Sequence, residues 1–142
     1  MYKRQQLDMT VLIGKQGAGK GVTTKRLVLP PFRKEYWTET VDLTKDPKTF
    51  GEQIRGKHIA DYQEMQGATK ADEAVIKANI TRTHDTYRIP YATHAFDQPR
   101  GCYIVGTSDR LYGNALPADN AGNRRFNVVY DCLLYTSPSP RD

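Results

Sequence analysis

A glycine-rich segment between an apolar run and a polar, helix-forming run constrains this chain most strongly. Residues 9–13 read Met-Thr-Val-Leu-Ile, and Gly14-x-x-x-x-Gly19-Lys20 follows directly. Glycine adopts backbone angles that let consecutive N–H groups point inward, and the start of a helix adds partial positive charge. A lysine at this position reaches the β- and γ-phosphates of a nucleotide. The spacing therefore predicts a phosphate-binding loop (P-loop), with these binding residues: Gly14, Gly17, Ala18, Gly19, Lys20 and Gly21.

The residue after the lysine departs from the usual pattern. Most loops of this type carry Ser or Thr there, whose hydroxyl binds Mg²⁺, whereas this chain has Gly21. Thr23 and Thr24 follow, but neither is at the expected position. The sequence thus predicts ATP and Mg²⁺ as ligands, without direct metal ligation from position 21, and it leaves open a weakened hydrolysis.

Strand-like and helix-like segments alternate along the chain. We expect strands over 9–13, 57–62, 102–106 and 125–130, and helices over 20–28, 44–55 and from 71 onward. Residues 35–43 allow a further strand, and residues 87–96 allow a hairpin with Pro90 at an edge. This alternation predicts an α/β fold in which helices flank a largely parallel sheet, and the glycine loop after the first strand points to the P-loop NTPase class.

Both ends of the chain match the translation of a transposase-type sequencing adapter. We expect residues 1–5 and 132–142 to be adapter-derived, which leaves residues 6–131 as a P-loop ATPase domain truncated at both ends. The alternative is a basic N-terminal arm and a Ser/Pro tail. Part of the net charge of +5 lies in these ends, so the remaining excess is compatible with nucleic acid without requiring it.

Cysteine content and hydropathy bear on the compartment. Once the adapter-derived Cys132 is set aside, Cys102 has no partner for an internal disulfide. This is typical of the reducing cytoplasm. The sequence contains neither a signal peptide nor an apolar run long enough to span a membrane. We therefore expect a cytoplasmic protein without a membrane partner.

Acidic residues follow the strand predicted over 57–62. Asp61 is a candidate to hold Mg²⁺ through water, and Glu64 is a candidate to polarise the attacking water. Their position suits these roles because ligand sites of α/β proteins form at the carboxyl ends of strands. Asp109 follows the strand over 102–106 in the same way and could sense the γ-phosphate. The alternative is that these residues are solvated loop acids.

Two groups of basic residues are candidates for phosphate contacts. Arg124 and Arg125 place two guanidinium groups side by side, which suits bidentate binding of phosphate. The alternative is a solvated basic pair. The second group combines basic and aromatic residues, a combination typical of nucleic-acid binding, although a surface loop with inward-packed tyrosines is equally compatible. Its members are Arg82, Arg88, Tyr91 and His94.

Five motifs in a fixed order carry a family resemblance, and together they cover nearly all of residues 6–131. They lie at residues 11–20, 56–64, 81–91, 99–107 and 122–126. In this arrangement the chain resembles the virulence-associated protein E family. These proteins are P-loop ATPases of phages and pathogenicity islands, similar to superfamily-three replicative helicases and often joined to a primase.

The resemblance implies an ATPase motor of the AAA+ or superfamily-three helicase type, encoded by a bacterium or phage. It implies a homo-oligomeric ring that acts on DNA in replication of a mobile element. Lys20, Glu64, Arg124 and Arg125 would be catalytic, with the arginine pair reaching the nucleotide of a neighbouring subunit. Asp61 matches a position where the family usually has Glu.

Two departures from the family pattern keep other functions open. Gly21 replaces Ser or Thr, and Asp109 stands where the family has Asn. These two changes favour a nucleotide-binding scaffold with impaired hydrolysis. Because the sequence Gly-Lys-Gly also occurs in adenylate-kinase-like enzymes, a small-molecule kinase of the P-loop class is a further alternative.

Overall fold

A parallel five-stranded sheet is the centre of the computed structural model, which describes residues 8–39, 41–63, 70–109 and 125–130. The order of the strands in the sheet is β2-β3-β6-β1-β7. A separate antiparallel pair, β4 and β5, forms a hairpin. The strands are β1 (Met9–Ile13), β2 (Trp37–Thr38), β3 (Ile59–Tyr62), β4 (His84–Tyr87), β5 (Phe96–Pro99), β6 (Tyr103–Ser108) and β7 (Phe126–Tyr130). The predicted α/β fold with a largely parallel sheet is confirmed.

The helices begin and end where the local sequence favours it. The side chain of Asp46 accepts a hydrogen bond from the backbone N–H of Thr49 at 3.1 Å, and Pro47 is the first helical residue of α3. Gly56, with φ of +69°, follows the end of that helix. No helix in the described part of the chain is long and apolar enough to cross a membrane. The helices are α1 (Lys20–Arg26), a 3₁₀ turn (Pro30–Phe32), α2 (Arg33–Tyr36), α3 (Pro47–Ile54) and α4 (Lys70–Thr81).

The hydrophobic core joins the sheet to α3 and α4. Along β1 buried residues alternate with half-buried ones, whereas β6 is buried continuously from Ile104 to Ser108, so that both faces of the sheet are covered at β6. Cys102 belongs to this core, where burial raises the pKa of its thiol to about 12. The other core residues are Met9, Val11, Ile13, Val41, Leu43, Phe50, Ile54, Ala60, Ile76, Ile80, Ile104 and Phe126.

Two predicted segments differ from the structure. The strand expected over 35–43 is reduced to β2, because the 3₁₀ turn that begins at Pro30 continues directly into α2. The hairpin expected over 87–96 exists, but most of those residues form the connection between its strands. Tyr87 and Phe96 are the pair next to this connection, and the strands extend to His84 and Pro99. Pro90 therefore lies in the connection rather than at a strand edge. The sequence Thr69-Lys-Ala-Asp72 predicts a capping box at the start of α4, but Thr69 lies outside the described residues.

A buried ion pair ties the base of the hairpin to two helices. The guanidinium of Arg100 donates to both oxygens of the Asp85 carboxylate, at 2.9 and 2.5 Å. It also donates to the backbone carbonyl of Asn79 in α4, and it lies 5.3 Å from the ring centroid of Phe50 in α3. The side chains of Arg100 and Asp85 are only 1% and 8% exposed. The orientation of the hairpin is therefore fixed by one desolvated arginine.

Removal of this arginine should destabilise the fold strongly. Arg100→Met leaves the carboxylate of Asp85 buried without its partner, so we expect the free energy of unfolding in urea to fall by about 3–5 kcal/mol. The control is Lys45→Met, which breaks the exposed pair of Lys45 and Asp42 and should cost at most about 1 kcal/mol. Equal effects of the two substitutions would contradict the role assigned to the buried pair.

Candidate nucleotide-binding site

The neighbouring strand holds the loop between β1 and α1 in place. The backbone N–H of Gly14 donates to the carbonyl of Ser108 at the end of β6, at 3.1 Å. Gly17 and Gly19 have φ angles of +81° and +80°, in the left-handed region. A Cβ built at either position would meet nothing within 4 Å. The loop therefore needs glycine for its backbone angles and not for lack of space.

Lys20, the first residue of α1, folds back over the loop. Its Nζ donates to the carbonyls of Gly14 and Lys15, at 2.8 Å each. A lysine ammonium has three hydrogens, so one donor is left for a further acceptor. The side chain thus both closes the loop and places a positive charge at the mouth of the cavity beside it.

The loop forms one wall of a cavity of about 580 Å³. This volume is in the usual range for small-ligand pockets. The cavity lies at the carboxyl ends of the parallel strands, where α/β proteins bind ligands. Its lining comes from the loop, from α1 and from the residues at or just beyond the ends of β2, β3 and β6: Gln16, Gly17, Ala18, Gly19, Lys20, Gly21, Val22, Lys25, Trp37, Glu39, Gln63, Thr107, Ser108 and Asp109.

The position of β6 between β1 and β3 brings the predicted sensor to this cavity. Ser108 is in register with Ile13 at the end of β1, and Gly106 is in register with Tyr62 at the end of β3. Asp109, the next residue after β6, is exposed and lines the cavity with the loop. The structure therefore places Asp109 within the same cavity as Lys20, as its predicted role requires.

Asp61 is buried against the first helix and does not itself line the cavity, although Gln63, two residues further on, does. Its side chain has no exposed surface, and neither does that of Thr24 in α1. The hydroxyl of Thr24 donates to Oδ2 of Asp61 at 2.6 Å. The other carboxylate oxygen, Oδ1, is buried and has no hydrogen-bond partner among the described residues. The carboxylate is therefore oriented by one oxygen and keeps unused acceptor capacity on the other.

Burial controls the titration of this carboxyl group. Loss of hydration raises the pKa of Asp61 above its ordinary value, and the carboxylate of Glu39 acts in the same direction. The Thr24 hydroxyl and the Gln63 amide oppose both effects. The amide of Gln63 also donates to Glu39 at 3.2 Å, so the polar groups behind the loop form a connected set.

These residues fit an outer-sphere magnesium site. Mg²⁺ prefers oxygen ligands, keeps several of its waters and often needs only one or two carboxylates from the protein. The unpartnered Oδ1 of Asp61 offers such an acceptor for a metal-bound water. Within the described ranges no three His, Cys, Asp or Glu residues cluster where they could hold a metal ion directly.

Sequence reasoning missed several residues of the site. Thr24 lies one helical turn beyond Gly21, a spacing that places both on the same face of α1. Its contact with Asp61 depends on the packing of α1 against β3, which no local pattern encodes. Gln63, Trp37 and Lys25 were also missed, although Gln63 follows Asp61 closely in the predicted motif.

Arg125, the member of the predicted arginine pair that the structure describes, is not among the residues that line this cavity. Arg125 precedes β7, and its carbonyl accepts from the N–H of Met9 at the amino-terminal end of β1. It therefore lies at the amino-terminal end of the parallel strands, whereas the loop of its own chain lies at their carboxyl end. Arg124 and Glu64 lie outside the described residues.

The hairpin gathers three of the four predicted nucleic-acid residues. Arg88, Tyr91 and His94 are exposed in the connection between β4 and β5. Tyr91 has a relative exposure of 107% and a φ of +68°, which projects its ring from the turn. Arg82 precedes β4 at the other end of the hairpin, and its Nε is buried without a hydrogen-bond partner among the described residues. It is thus separated from the other three.

Comparisons with known proteins identify the family of the chain and proteins of similar fold. A model of the virulence-associated protein E-like domain matches residues 4–134, so the resemblance based on the five motifs is confirmed. The A form apo structure of the NrS-1 C-terminal region matches with a TM-score of 0.61 and 19% identity over 92% of this chain. A second apo structure, of residues 305–718 of the same region, has a TM-score of 0.56 and 18% identity over 92% of this chain. The chain spans 30% and 29% of these two structures. No curated protein matches the chain.

The buried carboxylate of Asp61 should lower the stability of the folded protein at neutral pH. Asp61→Asn removes the charge and keeps an acceptor for Thr24, so we expect the melting temperature at pH 7 to stay equal or rise. The pKa of Asp61 is raised in the folded state, so the wild type loses stability relative to the variant as pH rises from 3.8 through that higher value. Thermal melts over this range test the expectation, and a variant less stable than the wild type at pH 7 would contradict it.

Proposed function

The chain belongs to the virulence-associated protein E-like family, and on this premise we propose that it binds ATP with Mg²⁺ and hydrolyses it as a helicase-like motor module of a mobile-element DNA replication protein. One observation carries the proposal. The loop with Lys20, which lines the cavity, and the buried carboxylate of Asp61, which contacts α1, lie at the same carboxyl end of the parallel strands.

The loop supplies what a triphosphate needs. The left-handed glycines open the loop toward the cavity, and Lys20 keeps a donor for phosphate oxygen after its two bonds to loop carbonyls. Such charge-assisted hydrogen bonds are roughly twice as strong as neutral ones. The mild basic excess that remains once the adapter-derived ends are set aside is compatible with an anionic ligand.

Hydrolysis assigns separate tasks to the acidic residues. When bound, Mg²⁺ neutralises charge on the β- and γ-phosphates. Asp61 would hold a water of the metal through Oδ1, and Glu64 would orient the attacking water. Asp109 would face the γ-phosphate from the end of β6, where it lines the cavity.

Removal of the loop lysine should weaken nucleotide binding. We expect Lys20→Ala to lower the affinity for ATP at least tenfold, or about 1.4 kcal/mol, because a charge-assisted contact and a loop closure are both lost. Isothermal titration calorimetry measures the change. The control is Lys25→Ala, which removes an equal charge from the same cavity at a side chain that lies over Trp37. Unchanged affinity in Lys20→Ala, or an equal loss in the control, would contradict the phosphate-loop assignment.

The position of Arg125 supports a shared active site in a homo-oligomeric ring. Because it lies at the far edge of the sheet from its own loop, it would reach a nucleotide only in a neighbouring subunit, together with Arg124. An arginine supplied in trans raises the rate about 10³-fold or more in related NTPases.

A mixing experiment tests this arrangement. Arg125→Ala and Lys20→Ala proteins should each hydrolyse ATP poorly, and a mixture should recover part of the phosphate release. Recovery requires a site with an intact lysine from one subunit and an intact arginine from the other. A mixture that remains inactive while light scattering detects oligomers would contradict a trans role.

The hairpin supplies the proposed contact with DNA. Tyr91 offers an exposed ring for base stacking, and Arg88 and His94 flank it on the same connection. We expect Tyr91→Ala to weaken binding of a fluorescent single-stranded oligonucleotide by about 1–3 kcal/mol, the usual loss for one stacked base. Phe32→Ala, at an exposed aromatic residue of the 3₁₀ turn, is the control and should leave anisotropy titrations unchanged. Equal affinities of wild type and Tyr91→Ala would exclude the hairpin as the contact.

A further inference from the structure

We propose that Thr24 positions Asp61 for magnesium binding and so compensates for the absence of a metal-binding hydroxyl at residue 21. The inference rests on the proposed function, since it concerns the metal of the same site. It addresses the most evident defect of the loop, the glycine directly after Lys20.

The first step is the placement of the two residues on α1. Thr24 follows Gly21 by one helical turn, and its hydroxyl lies 2.9 Å from the carbonyl of Gly21. A Cβ built at Gly21 would meet the amide nitrogen of Gln63 at 3.7 Å, and Gln63 is only two residues beyond Asp61. Both positions on α1 therefore face the end of β3.

The second step is the contact itself. At 2.6 Å the bond from Thr24 Oγ1 to Asp61 Oδ2 is short, and both side chains have no exposed surface. A hydroxyl has one hydrogen, which is shared here between a helix carbonyl and the carboxylate. The carboxylate is the closer acceptor of the two, so the hydroxyl fixes the rotation of the Asp61 side chain.

The third step is what the contact leaves open. Oδ1 of Asp61 is buried and has no hydrogen-bond partner among the described residues. In a purely structural pair such an oxygen only adds cost, because an unsatisfied buried acceptor is destabilising. Held by Thr24 through Oδ2, the carboxylate presents Oδ1 in one orientation, and a metal-bound water is the ligand that fits an anionic oxygen acceptor of this kind.

Two substitutions distinguish the effect of the Thr24 hydroxyl from the effect of the shape of its side chain. Thr24→Val keeps the branched side chain and removes the hydroxyl, whereas Thr24→Ser keeps the hydroxyl. Nucleotide affinity of the full chain is measured with ADP in Mg²⁺ and in EDTA. The signal is the fluorescence of Trp37, which lines the cavity and is the only tryptophan of the chain.

We expect the hydroxyl to matter only when the metal is present. In Thr24→Val the gain in ADP affinity on addition of Mg²⁺ should fall by about 10–100-fold, the usual loss when an outer-shell partner of a metal ligand is removed. Affinity in EDTA should stay within about twofold of wild type, and Thr24→Ser should behave like the wild type. A merely structural threonine would change both conditions alike.

A rescue tests whether a hydroxyl at residue 21 removes the need for the hydroxyl of Thr24. Gly21→Ser introduces a hydroxyl at the usual position, and the 3.7 Å contact with Gln63 is ordinary van der Waals distance. In the Thr24→Val background we expect this substitution to restore the magnesium dependence. A double variant that stays as impaired as Thr24→Val would contradict this compensation.

Failure of the inference differs from failure of the proposed function. Wild type that binds no ADP in either condition overturns both. Two other outcomes overturn only the role of Thr24. In the first, Thr24→Val keeps the magnesium-dependent binding of the wild type; in the second, Thr24→Ser loses that dependence as fully as Thr24→Val does. Far-UV circular dichroism checks folding, and Thr24→Ala, with a strong helix former, replaces Thr24→Val if the valine variant is unfolded.

Discussion

The parallel pairing of β6 with both β1 and β3 is the constraint on which the site depends. The three strands run in one direction, so the loop after β1, the acidic end of β3 and Asp109 after β6 meet at one edge of the sheet. The carbonyl of Ser108 also holds the first loop residue, Gly14. A shift of this register would move the loop relative to Asp61, because β1 and β3 are joined in the sheet through β6.

Two buried carboxylates, those of Asp85 and Asp61, differ in how fully their hydrogen bonds are satisfied. The guanidinium of Arg100 satisfies both oxygens of Asp85 and two carbonyls of α4, so this pair fixes the hairpin and leaves no carboxylate oxygen unused. Asp61, in contrast, is desolvated and only half satisfied. Burial of that kind costs stability, and it is typical of residues kept for a ligand rather than for the fold.

Local patterns made the loop, α3 and the main strands predictable, because glycine, capping and apolar periodicity act within a few residues. The role of Thr24 was not predictable, since it depends on how α1 packs on β3. The place of Arg125 likewise follows only from the parallel pairing of β7 with β1. The hairpin was expected over 87–96, but Tyr87 and Phe96 are its last pair. The β-forming residues within 87–96 indicated a hairpin, but their propensity did not show that these residues form its connection rather than its strands.

The most direct test of nucleotide binding at the loop is a titration followed by ¹⁵N-resolved NMR. The account predicts that ADP with Mg²⁺ shifts the backbone amide signals of residues 16–21 and 107–109 most strongly, because these residues line the cavity. The amides of β4 and β5 should change little. Shifts confined to the hairpin, or no shifts at saturating nucleotide, would contradict a nucleotide site at the end of β1.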